Sequence, residues 1–315
     1  MSMCRFSACS RSMTATKSPA TASIRAAGRS LLTACAQGSL SKVKTYAPQL
    51  YATAGIDKRA VLPLNLAIAT AAEKGHSDII RYFFTDIPQC RQSTDGPWEP
   101  KIDIQERDIP KEWQSAALPD LVVLCTVRGG KTAAFQTLLD FGLSVNHPLD
   151  KIGSPLTIAI QRQDVEMVRF LLRKGADAND QYWIPNDTVL ARAASLPSLE
   201  ILTLLLEYGA EIEGSRALMG AAESGCIDAA TVLLARGASI NEVFRHGLWD
   251  DDEAQDTIGT ALHVAVQHDQ EDFVRFLLQR GIRTDLVDGE GITPRQLAQA
   301  RGKTEMLELF DGVKE

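Results

Sequence analysis

Aromatic residues are scarce in this chain, at 6% of 315 residues. Leu and Ala take their place, which suits closely packed helices. The six cysteines, Cys4, Cys9, Cys35, Cys90, Cys125 and Cys226, lie far apart and form no Cys-x-x-Cys pair. That excludes a dense disulfide framework and a thiolate zinc site, and it favours a reducing compartment. No apolar run approaches the ~18 residues that a membrane-spanning helix needs. The first thirty residues lack the continuous apolar stretch of a secretory leader. Acid is missing from residues 1–56, which hold Arg5, Arg11, Lys17, Arg25, Arg29, Lys42 and Lys44. With the whole chain at −7, residues 57–315 carry −14. A body so acidic argues against sequence-independent binding of nucleic acid, which rests on Lys and Arg at phosphates.

What the chain has instead is Leu and Ala in a repeat. Segments ending in Leu-Leu, two residues and Gly recur: Leu138-Leu139 before Gly142, Leu171-Leu172 before Gly175, Leu205-Leu206 before Gly209, Leu233-Leu234 before Gly237 and Leu277-Leu278 before Gly281. The first two glycine spacings are near 33 residues; a short and a long one follow and average to the same period. Upstream of each comes a second landmark: Ser154-Pro155-Leu156-Thr157, Thr188-Val189-Leu190-Ala191, Thr260-Ala261-Leu262-His263 or Thr293-Pro294-Arg295-Gln296. A hydroxyl that caps free N–H groups, followed by Pro at the first helical position, starts a helix. Glycine after the Leu pair suits a left-handed helix terminus. Asn146, Asn179 and Asn241 follow those glycines or their Gly-Ala pair.

This pattern resembles the ankyrin repeat over roughly residues 30 to 311, more specifically in the C-terminal two-thirds than before residue 118. The resemblance implies an all-α fold: an ankyrin-repeat α-solenoid of about eight helix-pair units with short β-hairpin fingers. Leu31 to Gly38 reads as a first, capping unit, and Ile68 to Phe84 as a second. The last ends in Glu305, Glu308 and Asp311, the polar outer face that a terminal unit needs. The stretch from Thr188 to Ile212 also resembles fungal ankyrin-repeat proteins of unassigned role.

Residues 1–29 read as a disordered Ser/Thr/Arg-rich tail, or alternatively as a mitochondrial presequence, and residues 30–315 as the repeat domain. Two insertions interrupt it, at 86–117 and 242–258. The first contains Trp98 and Trp113, the second Trp249 followed by Asp250, Asp251 and Asp252. The finger of the fifth unit holds Tyr182 and Trp183. Exposed Trp and Tyr dominate binding energy at interfaces, so Tyr182, Trp183, Trp249, Asp250, Asp251 and Asp252 are the candidate partner contacts. Packing on a neighbouring finger, or a solvated acidic loop, are the alternatives.

Fragments of catalytic motifs fail on context. Gly130-Lys131-Thr132 would end a phosphate-binding loop, but Cys125 stands where that loop needs Gly, and the segment falls between helices. Gly289 and Gly291 fit a tight finger turn. No Cys/His cluster has metal-ligand spacing. His263 stands at the His of the ankyrin motif, where the resemblance implies hydrogen bonds within and between units. No catalytic, cofactor or metal residue is assigned. The expectation is a monomeric scaffold or adaptor in the cytoplasm, or alternatively the nucleus, that binds a protein partner and neither nucleic acid nor membrane. A regulatory or structural subunit is the alternative. An enzyme whose site is built from the insertions is a third reading.

Overall fold

Capped helix starts and glycine stops alternate along the chain, and the computed structural model turns each alternation into one helix pair. It describes residues 19–54, 61–87, 118–149, 153–181, 188–245 and 257–312. Among these residues lie eight pairs: α1 (Pro19–Ala36) with α2 (Leu40–Ala54), α3 (Val61–Lys74) with α4 (Ser77–Asp86), α5 (Leu118–Arg128) with α6 (Thr132–Asp140) and α7 (Pro155–Gln161) with α8 (Val165–Arg173). Then come α9 (Val189–Ala194) with α10 (Leu199–Glu207), α11 (Ala217–Ser224) with α12 (Ile227–Ala235), α13 (Ala261–Gln267) with α14 (Glu271–Gln279) and α15 (Pro294–Ala300) with α16 (Thr304–Gly312).

The expected helix starts are present. Ser154 caps α7 by accepting from Thr157 N–H, while the Thr157 hydroxyl accepts from Ser154 N–H at 2.8 Å, and Pro155 takes the first turn. Thr293 and Gln296 make the same reciprocal pair at α15. Each second helix buries one face. In α8, Met167, Val168, Leu171 and Leu172 are buried while Glu166 and Arg173 are exposed. The chain then turns through Gly175 at φ 89°, a left-handed conformation that disfavours any Cβ.

First helices pack on first helices from α1 through α15, a row we term inner, and the second helices form a parallel outer row. Each unit thus buries its apolar face against its neighbours, and one hydrophobic core runs from Ile24 to Phe310. The stack is continuous across both sequence interruptions: α3 packs on α5 and α4 on α6 across residues 88–117, and α11 packs on α13 across residues 246–256. The ends of the second insertion pair as antiparallel strands β1 (Phe244–Arg245) and β2 (Thr257–Gly259). Single bridges, Leu149 to Gly153 and Gln181 to Thr188, mark two other fingers.

One boundary differs from the sequence reading. Residue 30 was the expected start of the repeats, yet α1 begins at Pro19. Ile24, Gly28 and Leu31 recur at helical spacing and are buried. Small residues complete that face, so its apolar character is weak in sequence although it packs closely on α3. Residues 1–18 and most of the first insertion lie outside the described residues.

Candidate functional site

The surface available for recognition is set by how the units are fastened. On the finger side, three asparagines each tie one unit to the next. Asn146 Oδ1 accepts from Asp177 N–H at 3.0 Å, and its Nδ2 donates to Gly175 O at 3.4 Å. Asn179 does the same one unit on, accepting from Glu211 N–H at 2.8 Å and donating to Gly209 O at 3.5 Å. Asn241 Oδ1 accepts from Arg283 N–H at 2.8 Å. The recurrent asparagines of the sequence therefore satisfy backbone groups that a left-handed turn leaves open.

His263 fastens the last two units. Its Nδ1 accepts from Thr260 N–H at 3.0 Å, which leaves Nε2 to donate to Ile292 O at 3.0 Å. This is the bonding within and between units that the resemblance implied. Burial pushes the His263 pKa below the ordinary imidazole value, against the raising effects of the Ile292 bond and Asp288. The Thr188 hydroxyl makes a comparable link to Ser215 O at 2.6 Å.

Two inner-helix glycines allow close approach. A Cβ on Gly129 would collide with the carbonyl oxygen of Glu73, and one on Gly220 with that of Ala191. Gly129-Gly130, which imitates a phosphate loop in sequence, is thus a packing contact followed by a helix stop, with Gly130 at φ 63°. Cys35 and Cys125 are buried and their thiols pushed up to about 12 by that burial, which leaves them protonated and unreactive. No group of three or more His, Cys, Asp or Glu among the described residues is placed to hold a metal, and no described helix is long and apolar enough to cross a membrane.

What remains open is the row of inner-helix ends. It exposes Lys74 of α3, Arg128 of α5, Gln161 and Arg162 at α7, Arg192 of α9, Ser224 of α11 and Gln267 and His268 at α13. The face is polar. Among the described residues the exposed large apolar side chains are Tyr208 and Val287, at the end of α10 and in the last finger. The six contacts expected from sequence, Tyr182, Trp183, Trp249, Asp250, Asp251 and Asp252, all lie outside the described residues. The structure does bracket them: Tyr182 and Trp183 fall between Gln181 and Thr188, which bridge, and the other four between β1 and β2. The inner-helix arginines were missed. Their common face becomes visible once α7 and α9 are put in register by their N-caps and α5 by the left-handed Gly130 that follows it.

Helix pairs stacked in two rows, with asparagine ties and short fingers, define the ankyrin-repeat solenoid. Family models agree with this class. "Ankyrin repeats (many copies)" matches residues 121–172, "Ankyrin repeats (3 copies)" matches 183–243 and "Ankyrin repeat" matches 259–289. Together they support the ankyrin-repeat family for this chain. Ankyrin repeat and SOCS box protein 11 of Homo sapiens is 29% identical over 159 residues, 48% of this chain and 47% of that protein. Ankyrin repeat and SOCS box protein 5 of Mus musculus is 38% identical over 84 residues, 26% of this chain and 25% of that protein. A putative ankyrin repeat protein of Fowlpox virus is 30% identical over 180 residues, 53% of this chain and 49% of it. The chain spans about half the length of the curated relatives it matches. These relatives are vertebrate or viral, and they lend no support to the fungal resemblance. The crystal structure of the human ASB11 ankyrin repeat domain has the same fold, with TM-score 0.50 and 24% identity over 61% of this chain and 83% of that one.

Proposed function

We propose that this chain is a protein–protein interaction scaffold that binds its partner across the inner-helix ends and the fingers. The observation that carries the reading is the polar row of inner-helix ends, held in place by ties between units and left uncovered by the described residues. A surface fixed before binding loses little freedom on association, so modest contacts suffice. Ankyrin repeats generally mediate protein–protein interaction. On this reading the chain is an adaptor with no chemistry of its own, and Tyr182, Trp183, Trp249, Asp250, Asp251 and Asp252 are finger contacts that supplement the inner-helix row. A monomer in the cytoplasm suits that role.

The test uses the full chain as bait, with recovered partners identified by mass spectrometry. Wild type is then compared with a W183A/W249A variant and with an outer-row R173Q/R236Q variant. Capture should fall for the first and persist for the second, with helical content unchanged in both. Undiminished capture by the aromatic variant would remove the fingers from the interface. Loss confined to the outer-row variant would overturn the reading.

A further inference from the structure

Three arginines occupy consecutive inner helices. Arg192 stands four residues after the N-cap of α9, Thr188, and Arg162 eight residues after the N-cap of α7, Ser154. Arg128 precedes Gly130 by two residues, as Gln161 precedes Gln163, the left-handed residue after α7. These positions are related as i, i+3 and i+4, so they share one helical face. Because α5 packs on α7 and α7 on α9, the three side chains mark one stripe across adjacent helices, with axes on the order of 10 Å apart.

All three are exposed, and among the described residues none of their guanidinium groups has an ion pair or a hydrogen bond. Acids on either flank are engaged. Glu73 lies 3.8 Å from Lys74, and Glu223 lies 3.6 Å from Arg216. Asp164, close in sequence to Arg162, accepts from Met167 N–H at its own helix start. The helix dipole alone does not require these cations, since α1, α11 and α13 end without a basic residue in the last turn. Solubility does not call for a bare cationic stripe on a body of net charge −14, since cations there only lower the net charge.

We infer that the stripe Arg128–Arg162–Arg192 grips an extended acidic segment, a run of Asp and Glu, in a protein partner. The inference rests on the scaffold reading and adds the partner's chemistry. Guanidinium forks match carboxylates in pairs, and among the described residues no exposed large apolar side chain lies on this face, so recognition here is electrostatic. Nucleic acid fits less well, because the surrounding body is acidic and the described residues of this face offer no aromatic platform for bases.

The probe is a fluorescein-labelled Glu-Ser repeat peptide, measured by anisotropy against the full chain, with a Gln-Ser peptide and a thymidine oligonucleotide as comparisons. The acidic peptide should bind. Its affinity should fall about tenfold or more in R128Q/R162Q/R192Q, and it should weaken as salt rises from about 50 to about 300 mM. The outer-row R173Q/R236Q variant should bind as wild type does. Equal binding by the triple variant, equal loss in the outer-row variant, equal binding of the Gln-Ser peptide or tighter binding of the oligonucleotide would each overturn the inference. Partner capture that survives in the triple variant but fails in W183A/W249A would remove the stripe while sparing the scaffold. Capture that depends on neither would remove the scaffold reading itself.

Discussion

Units three to five and units two and six to eight handle charge at their inner-helix ends in opposite ways. Around the flanking ends acid meets base: Glu73 with Lys74, Arg216 with Glu223, and Asp269 with Lys303. Arg301 donates to Gln267 O at 3.0 Å. In the middle, Arg128, Arg162 and Arg192 face solvent alone. Both groups are first helices of the same kind of unit, packed in one row, so the difference lies in the side chains. It shows where side chains serve the stack and where they are free to serve something else.

The comparison is broken most severely by removing its common support. Leu171→Ala truncates a fully buried side chain of α8 and should cost about 2–5 kcal/mol in urea unfolding. A loss below about 1 kcal/mol would mean that the outer row is not packed as described. Next come the two glycines that flank the arginines. Gly129→Ala and Gly220→Ala each drive a methyl into a neighbouring helix's carbonyl, and should cost about 1–3 kcal/mol by thermal unfolding. A neutral outcome would separate the helices that carry the stripe.

A smaller effect distinguishes the far end. The His263 pKa is depressed in the folded state, so the fold binds the proton less readily than the unfolded chain. The associated stability is fully present above the ordinary value of 6.5 and is lost as pH falls below it toward the folded pKa. Unfolding compared at pH 7.5 and pH 5.5 should show this loss, and His263→Gln, which keeps a capping side chain as Gln296 does, should flatten it. The Glu271 carboxyl, raised by its hydrogen bond and repulsion with Glu305, acts in the opposite sense and only in the carboxylate range.

Gln163 sharpens the contrast in the other direction. It holds φ 56° where Gly38, Gly75, Gly130, Gly225 and Gly302 end other inner helices. Gln163→Gly should therefore stabilise by about 1 kcal/mol, as relief of left-handed backbone. The smallest expected stability effect belongs to the arginines: R128Q/R162Q/R192Q should change unfolding free energy by less than about 0.5 kcal/mol per site. A larger loss would mark them as structural.

Much of the scaffold was legible because its devices are local. A hydroxyl before Pro155 or Pro294, the Leu-Leu pairs and the glycines after them each leave a mark of a few residues, and each appears where expected. What depended on register was hidden. Gln163, Arg216 and Asp269 adopt left-handed backbone without being glycine, which blurs the helix ends from which an inner face must be counted. The start of α1 was hidden for another reason: Ala and Gly pack closely without producing an apolar pattern. Of the candidate site, the fingers were chosen by residue type alone, from Trp, Tyr and Asp. The arginines look like ordinary surface residues until three helices are laid side by side.

The asparagine ties have a mechanical consequence. Asn146 and Asn179 each reach forward one unit and no further. Load applied between the two ends of the chain is therefore carried link by link. Extended in an optical trap, the protein should give way in steps of one or a few repeats rather than in a single rupture, and should rebuild from whichever repeats stay closed.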